Sequence, residues 1–359
     1  MGVLNIYKKR LNISQSHQLR MRKRGDTMDK KFISSEQNDY FANLGEIDLQ
    51  ELLVQTENYF LQYRDKLNLP EDVTFGTELE YEDISKNDTD VFLKNHLNSW
   101  TSEIDNSLKS GGEIVSPILH DSIECWKELK IVCDYLSGAK ANTLDRAGGH
   151  IHIGAHILGS NVHAWKNFLK LYMTYENILF RFAYGDKISG RERLKAYAFP
   201  IADTLYKKLA TIDKAYNMSR MFSCLASIDG RFALNLHHVD FDNPNKVNNE
   251  NTLEFRFPNA STSAVIWQNN INTFAKMLVS ARDNVMDVEF LDYKLKHEFV
   301  PYEGNEYRYN EVCLKNALEF VDLVFDNNLD KVYFLRQYFK NFQDNYGLKV
   351  AVPAEPFVK

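Results

Sequence analysis

Cysteine is scarce in this chain and forms no pattern. The four cysteines among 359 residues, Cys125, Cys133, Cys224 and Cys313, make no CxxC pair and keep no ligand-like spacing to histidine, so zinc-binding and dithiol motifs are absent. Cys125 and Cys133, eight apart in a helical pattern, read as two small core residues on one face. Free thiols of this kind predict a reducing compartment, and the cytoplasm is the expected location. No apolar run approaches the roughly 18 residues that a membrane span needs. Neither a GxxxxGK[ST] loop nor a GxGxxG fingerprint occurs, which leaves the usual loop-based nucleotide sites without support. Charge of one sign is also lacking. A net charge of -6 sets up no global field that would make nucleic acid the main partner.

What is present is an ordinary globular composition, 44% apolar, enough for a sizeable core. The first 31 residues hold nine Lys or Arg against two Asp, with no apolar stretch behind them to make a signal peptide. This basic lead reads either as an arm for nucleic acid or a membrane surface or as sequence upstream of a start at Met28. Residues 1–45 form a polar segment predicted to be disordered. Residues 46–72 are a helical lead-in: Asp48 and Glu51 have capping-box spacing, and Leu49, Leu52, Leu53, Phe60 and Tyr63 make an apolar stripe ending before Pro70. Residues 73–300 are expected to form the main domain, with 301–359 a helical extension packed on it.

Inside that domain the periodicity changes repeatedly. Val73 to Glu82 reads as a strand, followed by a charged hairpin-like loop and a short strand at Glu113 to Ser116. Asp121 with Glu124 caps a helix to Leu136 whose Ile123, Trp126, Leu129 and Cys133 face inward. A strand from His150 to Ala155 precedes a long aromatic-rich helix from Val162 to Tyr184, more plausibly core than ligand box. Strands at Arg231 to Leu236 and Thr252 to Phe257 flank a polar turn, and the chain after Ser263 is mostly helical. Without a regular βαβ beat, this order predicts an α+β fold: a mostly antiparallel sheet with helices on one side.

Alternate residues of a strand share a face. In Thr77-Glu78-Leu79-Glu80-Tyr81-Glu82, three carboxylates oppose Leu79 and Tyr81. In His150-Ile151-His152-Ile153, the imidazoles share one face. Thr252-Leu253-Glu254-Phe255-Arg256-Phe257 repeats the design, and Arg231 shares a face with Asn235. A solvated face would read the same in any one strand. Four strands whose polar faces carry carboxylates, imidazoles and arginines almost exclusively are a different matter. Converging carboxylates raise one another's cost of ionisation, which Arg231, Arg256 and divalent ions would offset. Oxygen ligands with one or two imidazoles suit Mg²⁺ or Mn²⁺ better than Zn²⁺. Gly111-Gly112 and Gly148-Gly149, just before Glu113 and His150, allow close backbone approach or simply turns. The loop Gly185 to Arg193, with Lys187, Arg191 and Arg193, reads either as a cover over a nucleotide or as a solvated loop.

The ordered set FGTELEYE (75–82), GGEIVSP (111–117), GGHIHIG (148–154), RFALNL (231–236) and LEFRFPN (253–259) resembles the amidoligase family, within the carboxylate-amine ligase superfamily of glutamine synthetase and γ-glutamylcysteine synthetase. The resemblance implies a glutamine synthetase-like catalytic domain, a curved antiparallel sheet holding ATP and two or more divalent ions. It implies that Glu78, Glu80, Glu113 and Glu254, with His150 or His152, are metal ligands, the histidine lying by the nucleotide phosphates. Arg256 would face the transferred γ-phosphoryl group, Arg231 a phosphate or the substrate carboxylate, Arg193 the nucleotide, and Asn235 the substrate. Glu82 is the candidate to remove the amine proton. The implied reaction joins a small-molecule or peptide carboxylate to an amine through an acyl phosphate. Two other readings compete, a metal-dependent hydrolase suggested by the HxH strand and an inactive binding module of the same fold. The hydrolase barrel would need repeated βα units that this chain lacks.

Overall fold

The apolar alternation of four segments drives them into one sheet. The computed structural model describes residues 31–32, 59–143, 146–187, 190–299 and 311–339. All of these belong to a compact unit beginning at Lys31. Its main sheet has six strands in the order β4-β5-β3-β6-β8-β7. These are β3 (Phe75–Tyr81), β4 (Thr101–Glu103), β5 (Gly112–Val115), β6 (Gly149–Gly154), β7 (Leu234–Asn235) and β8 (Thr252–Phe255), and every pairing is antiparallel. A separate two-stranded parallel pair joins β1 (Lys31–Phe32) to β2 (Tyr59–Phe60). The sheet is open, and with its helices gives the α+β arrangement.

Leu79, Ile151, Ile153, Leu253 and Phe255 are buried on the face covered by helices. Above it lie α2 (Ile123–Gly138), α3 (Val162–Ala183) and α7 (Ala264–Arg282). Trp126 stacks on Phe75 at 4.8 Å, and Phe274 stacks on Phe255 at 4.1 Å with Phe168 edge-on to the same ring. Each such aromatic burial stabilises the fold by roughly 2–3 kcal/mol. The other sheet face carries the charge. The last two described helices, α9 (Glu311–Val324) and α10 (Asn328–Phe339), close the far side of α3 and α7. Phe334 stacks on Phe182, and Asn269 donates to Tyr333 O and Gln337 Oε1. Among the described residues no helix is long and apolar enough to cross a membrane.

Several local expectations are corrected. The helix expected from Asp48 lies outside the described residues up to position 58. From Tyr59 to Leu69 there is no helix: after β2 the chain follows an irregular path, because tertiary acceptors take its amides. Arg64 N donates to Gln268 Oε1 and Leu67 N and Leu69 N to the Asp121 carboxylate, while Arg64 is buried against Asp330. Asp121 therefore does not cap α2; Ser122 does, accepting from Cys125 N. Cys133 is buried there and Cys125 only partly. The loop after Glu82 contains α1 (Lys86–His96), started by Ser85, whose side chain accepts from Asp88 N, and then β4. The Arg231 to Leu236 strand shrinks to β7, because the Asp229 carboxylate accepts both the backbone N–H and the guanidinium of Arg231 and turns the chain there.

Asp121 also accepts from Trp126 Nε1 at 2.6 Å, so one carboxylate satisfies three donors. Asp121→Ala is expected to destabilise the protein by about 3 kcal/mol, since partly buried N–H groups would lose their acceptor. Urea denaturation measures this, and a change below about 1 kcal/mol would show that water substitutes freely.

Candidate active site

The sheet register assembles the charged face. Glu80 lies directly opposite Glu113 on β5, Glu78 opposite His150 on β6, His152 opposite Glu254 on β8, and Glu254 opposite Asn235 on β7. Like charges directly across a ladder are destabilising, so the Glu80–Glu113 pair is not a stability device. Glu80 and Glu254 are buried, and Glu78 and Glu113 half-buried.

Among the described residues, two groups of three ligand atoms result. Glu78, His152 and Glu254 offer atoms all within 4.8 Å of one another, and so do Glu80, Asp105 and Glu113. Asp105, from the segment between β4 and β5, is a residue that strand alternation could not find, because it lies in no strand. Its position depends on Glu82. That side chain is buried, accepts from Lys109 N at 2.6 Å, and so ties down the loop after Asp105. Arg146 Nη1 holds the same loop at Ser107 O, 3.2 Å away. Gly111 stands in the left-handed region at φ +99, where a Cβ would lie 2.1 Å from Tyr81 O, so the turn into β5 requires glycine.

The two histidines differ in their partners. His150 Nδ1 is 2.9 Å from Glu78 Oε2 and 3.5 Å from Glu254 Oε1, and its Nε2 is 3.3 Å from Glu80 Oε1. Both ring nitrogens face carboxylates, and although burial alone would lower its pKa, Glu78 and Glu80 raise it. His152 contacts Glu78 Oε1 through Nε2 at 3.0 Å, and its Nδ1 meets Thr252 Oγ1 at 3.1 Å. His238, unremarked in the sequence, reaches Glu254 Oε2 at 3.4 Å and lies edge-on to His152. Its pKa is raised, chiefly by the Glu254 hydrogen bond.

Glu254 is the hub. Its carboxylate accepts from Asn235 Nδ2 at 2.6 Å and from Arg256 Nη1, and Arg256 Nε donates to Tyr197 O. Burial opposes its ionisation, but His238, His150, His152 and Arg256 together lower its pKa to about 2. Glu78 is half-buried, and although burial opposes its ionisation too, His150 and His152 hold it well below the usual carboxylate range. Glu113 goes the other way. Burial first, then Glu78 and Glu80, raise it to about 7.

The remaining sequence candidates are less central. Arg231 is exposed and paired with Asp229, its guanidinium over the Phe199 ring, and no contact among the described residues joins it to the cluster. Arg193 lies over Tyr197, on the segment that Arg256 grips. The solvated reading of the 185–193 loop fails for Lys187, which donates to Thr143 O and Ala260 O, and for Arg191, which is buried and donates to Arg256 O and Pro258 O.

No curated protein matches the chain. A family model described as "putative amidoligase enzyme" matches residues 46–278, well over half of the sequence and every residue of the charged face. The chain belongs to the amidoligase family, and so to a family of amide-bond ligases.

Proposed function

We propose that this protein is an ATP- and divalent metal-dependent ligase that joins an amino-acid or peptide-like carboxylate to an amine. The observation that carries the reading is the pair of three-donor groups that one sheet face and the loop of Asp105 form in an amidoligase. The donor chemistry fits two ions: Glu80, Asp105 and Glu113 are all oxygen ligands suited to Mg²⁺ or Mn²⁺, and Glu78, Glu254 and His152 add one imidazole. His152 is the better ligand of the two histidines, because Thr252 occupies its Nδ1 and orients Nε2 toward the carboxylates. His150, with carboxylates at both nitrogens, is assigned to holding them together.

When bound, the ions would neutralise charge on the phosphoryl group passing from ATP to the substrate carboxylate. That transfer makes a carboxylate oxygen, a poor leaving group, part of an acyl phosphate, whose carbonyl carbon an amine attacks to form the amide and expel inorganic phosphate. Arg256 is assigned to the transferring phosphoryl group, held in aim by Glu254 and Tyr197 O. Asn235 is assigned to substrate contact and Arg193 to the nucleotide. Glu82 is assigned to holding the Asp105 loop instead of taking the amine proton, since its carboxylate already accepts Lys109 N. Arg231, exposed and engaged by Asp229, is left at the periphery.

The test is a screen of amino acids and short peptides with ATP and Mg²⁺ or Mn²⁺. Release of ADP and phosphate in step with amide formation is the expected result. Metal-dependent cleavage of amides without nucleotide would overturn the ligase reading in favour of a hydrolase.

A further inference from the structure

Arg191 is among the most deeply buried cations beside the charged face, at 3% exposure. Among the described residues no carboxylate forms an ion pair with it, and its guanidinium is spent on backbone. Nη2 donates to Arg256 O at 2.7 Å and Nη1 to Pro258 O at 2.8 Å, while its own N–H donates to Asn259 Oδ1 at 3.0 Å. The reason lies in the sheet. β8 ends at Phe255; beyond it only scattered backbone bonds continue, Arg256 N to Ala233 O and Gly149 N to Pro258 O at 2.9 Å, with a lone bridge between Gly148 and Asn259. Carbonyls two residues apart on an extended segment point to the same edge, and a planar fork with two parallel donors spans them as a single ammonium cannot.

Room for this fork is made by Gly148. A Cβ there would lie 2.3 Å from Arg191 Nη1, and the same glycine's N–H donates to Glu80 Oε2 while its O accepts Glu80 N. The guanidinium is thus wedged between the segment that carries Arg256 and the glycine that holds Glu80.

We propose that Arg191 is a positioning residue of the ligase site: by clamping the Arg256 and Pro258 carbonyls through the gap left at Gly148, it sets where the Arg256 side chain meets the nucleotide's phosphoryl group. This rests on the ligase reading given above. It separates two effects. The metal ligands Glu80, Asp105 and Glu113 stand on strands and a loop that Arg191 does not bind, and removing a nearby positive charge does not weaken cation binding there. Arg256 alone loses its aim.

The experiment compares the full chain with Arg191→Lys and Arg191→Ala, reading free Mn²⁺ binding by electron paramagnetic resonance, binding of a non-hydrolysable ATP analogue by calorimetry, and thermal unfolding. Expected for Arg191→Lys is a loss of roughly tenfold or more in analogue affinity, the scale of a lost orienting contact, with Mn²⁺ affinity kept. Arg191→Ala should lose analogue affinity further, bind Mn²⁺ as well as or better than the parent, and recover part of the analogue affinity with millimolar guanidinium. Parental analogue binding in Arg191→Lys would overturn the proposal and leave the ligase reading standing. So would a parallel fall of Mn²⁺ binding, analogue binding and melting temperature, which would mark Arg191 as structural only. A parent protein that binds Mn²⁺ but no nucleotide would overturn the ligase reading, and this proposal with it.

Discussion

Glu254→Gln should reduce ATP-dependent turnover on the order of 10²- to 10³-fold, the scale seen when one preorganised electrostatic partner is removed, while the fold persists. The two oxygens of Glu254 are already committed, one to Arg256 Nη1 and the other to Asn235 Nδ2 and His238. An amide has the same shape but turns one acceptor into a donor, so whichever way it flips, an N–H group meets another donor. The substitution also takes one charge from the Glu78, His152 and Glu254 group, and Mn²⁺ affinity there should fall. Stability should fall as well, because the amide gives up the stabilisation that His238, His150, His152 and Arg256 lend to the ionised carboxylate, but the fold persists. Arg256→Ala provides the contrast: turnover lost, Mn²⁺ binding kept. Steady-state kinetics with ADP detection, beside a thermal melt, checks both, and full activity in either variant would remove these residues from the site.

The second large effect is a stability that falls with rising pH and is restored by metal. Glu113 has its folded pKa raised, from the ordinary 4.5 to about 7, mainly by burial and then by Glu78. The folded state therefore holds a proton that the unfolded chain has already released, and stability declines as pH rises through that interval. His150 and His238, both raised, act in the same direction: the stability they contribute is complete below the ordinary imidazole pKa of 6.5 and is lost as pH passes their folded values. Glu78 and Glu254, both lowered, contribute stability that is present above 4.5 and lost on acidification. The metal-free protein should thus be most stable around pH 5, near where the two trends cross. Glu113 is only half-buried, so its share is about 1–2 kcal/mol after solvent screening, or a few degrees of melting temperature. Saturating Mn²⁺ or Mg²⁺ replaces those protons, so the stabilisation on adding metal should grow between pH 5 and 8. Glu113→Gln should make the metal-free decline shallower, leaving the part due to His150, His238 and the buried Glu176, and should reduce the metal response. A metal-free melting temperature that is level or rising from pH 5 to 8 would contradict the arrangement.

The charged face was legible because a strand's sidedness is a local property. Glu78 with Glu80, His150 with His152, and Glu254 can be placed on faces by counting in twos, and Val162–Ala183 by its apolar stripe. Where a segment's amides are claimed by distant side chains, counting fails. The stretch before Pro70 has a helical stripe, yet Gln268 and Asp121 take its amides and residues 59–69 form no helix. The helix at Lys86–His96 escaped notice because its stripe is weak and its start rests on Ser85 alone.

By itself, then, the sequence determined the chemistry of the face: which strands are amphipathic, which carry carboxylates and imidazoles, and, through five ordered motifs, the family. Only the tertiary structure decided which cations lie beside that face and which partners each imidazole meets. Arg231 was expected there, and Arg191 only as part of a loop that read equally as solvated, because the path of a loop has no period to read; a local Asp229 captures the first, and the Arg256 and Pro258 carbonyls beyond β8 capture the second. His150 and His152 look identical along the strand. They part company only through strand pairing, which sets His150 among three carboxylates and His152 beside Thr252. Side-chain alternation is set by backbone geometry within a few residues, whereas partners are set by register and loop closure across the whole chain.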